Sequence, residues 1–161
     1  MGSARAVLAA CAALTSSGSS AADYVVVRNE VVVNRPVEQV WARVGGWCTI
    51  SHWLNVACEI VSGSGDVGSV RRLNGVTRET MVAHTAHSYA YWQTSGNMAR
   101  YSYHGSLAAE SVDESRTRLI YTLFYDAAQM PSDAVRASEH ARLNTRFVEP
   151  LNIMKKMAEA Q

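Results

Sequence analysis

The spacing of hydrophobic and polar positions changes character three times along the chain. From Tyr24 to Asn34 it is a β-branched run, with Val25, Val26, Val27, Val31, Val32 and Val33, which stops at Arg35-Pro36 and predicts a long first strand. Val37, Val40, Trp41 and Val44 then recur at helical spacing, opened by Pro36 with Glu38 in the first turn and closed by Gly45-Gly46. Trp47 to Leu54 reads as a second short helix or a structured loop. Short strands follow: Ala57 to Val61, Gly68 to Leu73, Val76 to Ala83, Tyr89 to Thr94, Ala99 to Ala108 and Arg116 to Tyr125. Turn residues separate them at Ser62 to Asp66, Asn74-Gly75, Ser95-Gly96-Asn97 and Asp113-Glu114-Ser115, and such short links imply antiparallel neighbours. Pro131 and Asp133 open a long final helix, with Leu143, Phe147, Leu151 and Met154 on one stripe. Pro150 should kink or break it near Phe147. The order predicts an α+β domain: a curved antiparallel sheet of about seven strands, with two short helices and a long C-terminal helix, enclosing a hydrophobic pocket.

The hairpin from Gly68 to Ala83 holds the strongest chemical candidates, because Arg71, Arg72 and Glu79 alternate there with Val70, Leu73 and Met81. One of its faces carries charge either to water or into the pocket. A two-residue type I′ turn at Asn74-Gly75 would put Glu79 on the side of Arg72. A type I turn with a G1 bulge at Gly75 would put it with Arg71. The residues alone leave both registers open.

Composition narrows the partners. Of 161 residues, 48% are hydrophobic and 18% charged, which suits one globular domain with a core of ordinary size. The 15 Lys and Arg balance the 14 Asp and Glu, leaving no basic stripe to follow a phosphate backbone, so nucleic acid is not expected as a partner. No apolar run reaches the ~20 residues that span a bilayer. Residues 1–22 read as an export signal: a cation at Arg5, apolar residues from Ala6 to Leu14, and a small polar run ending Ser20-Ala21-Ala22 before Asp23. Leu8-Ala9-Ala10-Cys11 also resembles a bacterial lipobox, so a soluble periplasmic protein and one anchored by lipid at Cys11 both stand as readings, and the domain occupies 23–161. Cys48 and Cys58 would then meet an oxidising compartment, either as a disulfide or as two small buried thiols. Monomer and homodimer are both compatible with this composition.

Tyrosines populate consecutive strands: Tyr89 and Tyr91, then Tyr101 and Tyr103, then Tyr121 and Tyr125. On a concave face they would offer hydroxyls to orient a polar group and rings to pack an aromatic ligand. His104 follows Tyr103 in the predicted strand, so either the tyrosines or the histidine face the cavity. His52 beside Trp53 is a candidate for the pocket rim. His84 and His87 are the one close histidine pair, without an HExxH or Cys-rich spacing, and no metal site is expected. The glycine runs lack the strand-to-helix context of a phosphate loop.

The element order, together with Pro36-Val37-Glu38-Gln39-Val40-Trp41, Trp47-Cys48 through His52-Trp53 to Cys58-Glu59-Ile60-Val61, and Gly68-Ser69-Val70-Arg71-Arg72-Leu73 with Glu79, resembles the SRPBCC superfamily. This is the helix-grip fold of START domains and the birch pollen allergen, and the likeness is strongest to its polyketide cyclase/dehydrase-like branch. It implies a small hydrophobic ligand or substrate and chemistry that needs no cofactor. In plant lachrymatory-factor-synthase-like members an Arg and a Glu on the matching strands are the acid/base pair. That implies Arg71 and Glu79 as catalytic residues. The predicted strands and helices add Tyr103 as a third catalytic candidate, with His52, Trp53, Arg72, Tyr91, Tyr101, Tyr121, Phe147 and Leu151 as candidate ligand contacts. The Asn74-Gly75 loop is shorter than the gating loop of the hormone-receptor members, and no proline follows Trp53. The implied reaction is proton transfer next to a carbonyl: a lyase, isomerase, dehydratase or cyclase acting on an aromatic or polyketide-like compound. The other reading is a carrier that binds such a compound without turning it over.

Overall fold

The computed structural model describes residues 21–160. The export-signal and lipid-anchor readings, Cys11 included, rest mainly on residues 1–20 and lie outside it. Seven strands form one antiparallel sheet in the order β1-β7-β6-β5-β4-β3-β2. They are β1 (Tyr24–Val33), β2 (Cys58–Ser62), β3 (Val70–Leu73), β4 (Thr77–Thr85), β5 (Ser88–Gln93), β6 (His104–Asp113) and β7 (Arg116–Asp126). Every neighbouring pair from β2 to β7 is consecutive in sequence, joined by two- or three-residue turns after β3, β4 and β6 and by longer links at 63–69 and 94–103, whereas β1 reaches the sheet through a long-range ladder from Tyr24↔Asp126 to Val33↔Thr117.

Helices α1 (Val37–Val44) and α2 (Ile50–Trp53) fill the crossover from β1 to β2, and the Cys48–Cys58 disulfide ties the start of that second turn to β2. The C-terminal stretch is two helices, α3 (Asp133–Arg146) and α4 (Val148–Glu159), broken at Phe147 as Pro150 requires. The pyrrolidine ring would clash with the carbonyl four residues earlier, at Arg146. Ser132 caps α3 by accepting from the Val135 N–H. Pro150, Leu151, Met154 and Ala158 bury one face of α4 against β1, α1 and α2, while Leu143 is the buried residue of α3.

Alternation sorts the strands into two faces. Tyr89, Tyr91 and Gln93 on β5, Leu107 on β6, and Leu119, Tyr121, Leu123 and Tyr125 on β7 point to the helices and are buried. Trp92, His104 and Phe124 point away, and their rings stack in a row across three strands. The predicted strand from Ala99 starts late: Ala99–Tyr101 is a 3₁₀ turn and Ser102 has φ +49°, so β6 begins at His104. Local hydrogen bonds from Ala99 N–H to Gly96 O and from Tyr101 N–H to Met98 O outweigh the β preference of the two tyrosines. Tyr101 and Tyr103 therefore do not share a strand face.

The hairpin register differs from both expectations. Asn74 and Gly75 have φ of +47° and +76°, as a type I′ turn demands, and the Val76 N–H donates to Leu73 O. The ladder nevertheless pairs Leu73 with Thr77, leaving Val76 as an extra residue, and so sets Arg71 directly opposite Glu79. The Asn74 side chain helps to hold this turn, accepting from the Ala57 N–H at 2.9 Å.

Candidate functional site

Arg71 is wholly buried, which a guanidinium tolerates only when it is paired with an opposite charge. Its Nε donates to Glu79 Oε2 at 2.8 Å, Nη2 lies 2.7 Å from the same oxygen, and Nη1 donates to the Trp47 carbonyl at 2.5 Å. The Trp47 ring covers the guanidinium at 3.7 Å, with Tyr89 and Tyr91 farther off at 5.6 and 5.2 Å. Glu79 is 4% exposed. Its second oxygen, Oε1, makes no hydrogen bond among the described residues, and the residue lines a cavity. Desolvation raises the Glu79 carboxyl above the ordinary glutamate value of 4.5, against the charge and hydrogen bond of Arg71. Burial alone would lower Arg71, but Tyr89, Glu79 and the neighbouring tyrosines more than reverse this, so it stays a cation. Glu79 is the member of the pair whose proton can move.

The cavity has a volume of about 540 Å³ and lies between the sheet and α3. Ile50, Leu54, Leu73, Leu143 and Phe147 give it apolar walls; Glu79, Gln93, Tyr91, Tyr103 and Tyr121 give it polar points. Tyr91 and Tyr121 hydrogen-bond hydroxyl to hydroxyl at 3.0 Å, and the Tyr121 ring stacks on Phe147 at 3.8 Å. Burial raises the Tyr91, Tyr103 and Tyr121 hydroxyls, so all three stay protonated and available as donors. Gly105 makes this possible: a Cβ there would collide with the Tyr91 hydroxyl end, which lies flat across β6.

Of the expected site residues, Glu79, Tyr91, Tyr103, Tyr121 and Phe147 line the cavity. Arg71 stands behind Glu79 and does not reach the cavity wall, which makes it a positioning residue rather than one that touches a ligand. Five of the expected ligand contacts do not line the cavity, Arg72, His52 and Tyr101 because of alternation and helix geometry. Arg72 points the opposite way from Arg71 and pairs with Glu59 at 2.6 Å on the outer face. His52 is exposed, because α2 buries Ile50 and Trp53 instead. Tyr101 is carried by the 3₁₀ turn to a shallower groove shared with Met98, Val135, Glu139 and Arg142. Trp53 and Leu151 are both buried behind the wall, Trp53 with its ring edge-on to Tyr121 at 5.9 Å. Gln93, Arg142 and Arg146 line the cavity without having been singled out. The two arginines sit one helical turn apart on α3, a spacing visible in the sequence but indistinguishable there from a solvated face.

A family profile described as polyketide cyclase / dehydrase and lipid transport matches residues 24–159, and the chain belongs to this family. Solved structures share the fold. The Zhui aromatase/cyclase from a Streptomyces species is 20% identical with a TM-score of 0.69, covering 85% of this chain and 94% of that one. Truncated norcoclaurine synthase from Thalictrum flavum is 13% identical with a TM-score of 0.70, covering 89% and 99%. A protein from Nitrosospira multiformis is 24% identical with a TM-score of 0.62, covering 81% and 94%. These are helix-grip folds, as is this chain. No curated protein matches the sequence.

Proposed function

We propose that the protein is a cofactor-independent enzyme that moves a proton next to a carbonyl in a small hydrophobic, aromatic or polyketide-like compound. The observation that carries this is Glu79: a cavity-lining carboxyl with one oxygen fixed by Arg71, the other without a hydrogen bond among the described residues, and an affinity for protons raised by burial. In this reading Oε1 takes the proton from the carbon beside the carbonyl, and returns it to another atom of the ligand. The Tyr103 and Tyr121–Tyr91 hydroxyls donate to the enolate oxygen that forms. Arg71 keeps the carboxylate aimed and offsets its charge. Lyase, isomerase, dehydratase and cyclase chemistry all share this step. Family membership supports the reading, and so do neighbours whose names include an aromatase/cyclase and a synthase bound to dopamine and hydroxybenzaldehyde. We also propose export to the periplasm, for which the Cys48–Cys58 disulfide is support.

The carrier reading rests on the same cavity and on the lipid-transport half of the family description. Glu79→Gln separates the two, since it keeps the shape and removes the base. Turnover of hydrophobic ketones and aldehydes by wild type, reduced a hundredfold or more in the variant with binding retained, supports the enzyme. Binding without turnover in either protein overturns it in favour of the carrier.

A further inference from the structure

Among the described residues, the cavity wall carries three charged ones: Glu79, Arg142 and Arg146. Glu79 is already matched by Arg71 behind it. Arg142 gives Nε and Nη2 to Glu139 at 3.0 and 2.6 Å. Arg146 has no acidic partner within 4.0 Å among the described residues and rests against the Phe147 ring at 5.7 Å. Arg146 is exposed to solvent at the rim of the cavity, and its charge still reaches the interior, favouring the ionised forms of both Glu79 and Tyr103. Arg142 is also the charged residue shared with the outer groove, so the pair marks the junction between the inner cavity and that groove.

Resting on the ligand-cavity reading above, we propose that the ligand is an organic acid. Its hydrophobic ring system fills the space between Leu73, Leu143 and Phe147, its reactive carbon lies toward Glu79, and Arg146 with Arg142 holds its carboxylate at the cavity mouth. A guanidinium fork matches a carboxylate bidentately; Arg146 has no such partner among the described residues, whereas Arg142, engaged with Glu139 through Nε and Nη2, adds only its Nη1 one turn away. The same field disfavours cationic amines of similar size.

Calorimetric titration of the full chain with naphthoate and with uncharged naphthalenemethanol, which share one ring system, tests the assignment. Wild type should bind naphthoate about fivefold or more tightly than the alcohol, and added salt should shrink the preference. Arg146→Gln should remove most of that preference, and Arg142→Gln should remove a smaller part. Equal affinities in wild type, or a preference that survives both substitutions, overturn the acid assignment and leave the cavity reading standing. Binding of neither compound overturns the cavity reading and this one with it.

Discussion

Glu79 is held between two opposed influences, and its behaviour follows from which is larger. Burial pushes its proton affinity up; Arg71 pulls it down through charge and hydrogen bond, and burial prevails. If the carboxylate is the working base, the rate should fall as pH drops through a value above 4.5, and Glu79→Gln should abolish that limb of the pH profile together with activity. The stability sign is opposite to that of an ordinary salt-bridged carboxylate. Folded Glu79 keeps its proton to higher pH than unfolded Glu79, so its contribution is full below the ordinary value and is lost as pH rises through the raised one. Wild type should lose ground to Glu79→Gln over that window in thermal melts taken across pH. Arg71→Ala should be far harsher, because it strands the Glu79 carboxylate and empties the space beneath Trp47. Urea unfolding should register a loss of about 3–5 kcal/mol, partly relieved by combining it with Glu79→Gln.

Among the elements, the β3–β4 hairpin and the α3–α4 break do most to build the site. The break was readable, because Pro150 states its own geometry. So was the sharing of a face by Tyr121 and Tyr125, because alternation needs no partner. The hairpin register was not, since the extra residue at Val76 depends on how the positive-φ pair Asn74-Gly75 joins the two strands. Nor was the 3₁₀ turn that takes Tyr101 away from Tyr103, because Tyr-Ser-Tyr-His reads as strand until the Gly96 loop hydrogen-bonds into it. Gly105 was an unused signal: a glycine inside a strand often marks close approach, here that of Tyr91. Gly105→Ala should cost about 1–3 kcal/mol in denaturant unfolding and should weaken ligand binding by displacing the Tyr91–Tyr121 hydroxyl pair. Reducing the Cys48–Cys58 disulfide should cost about 2–3 kcal/mol from loop entropy, and it loosens the turn whose Trp47 carbonyl holds Arg71.

Over the whole molecule, the sheet curves around two consecutive helices that cover it unequally: α4 packs fully, whereas α3 buries little beyond Leu143. The result is a cavity of about 540 Å³ open beside α3, apolar enough for a ring system and carrying, among the described residues, a single carboxyl group on its wall. Element order made the architecture legible from the sequence, whereas the cavity's contents come from residues on distant segments brought together by the fold. In the proposed reaction Glu79 takes a proton from carbon in a ligand bound there. Hydrogen–deuterium exchange at the carbon beside the carbonyl of a bicyclic aromatic ketone such as tetralone, followed by NMR in heavy water, tests it without knowledge of the natural substrate. Wild type should drive exchange well above the buffer rate, and Glu79→Gln should be at least about a hundredfold slower, while both bind the ketone alike. Equal exchange rates in the two proteins, with the ketone bound by both, would contradict it.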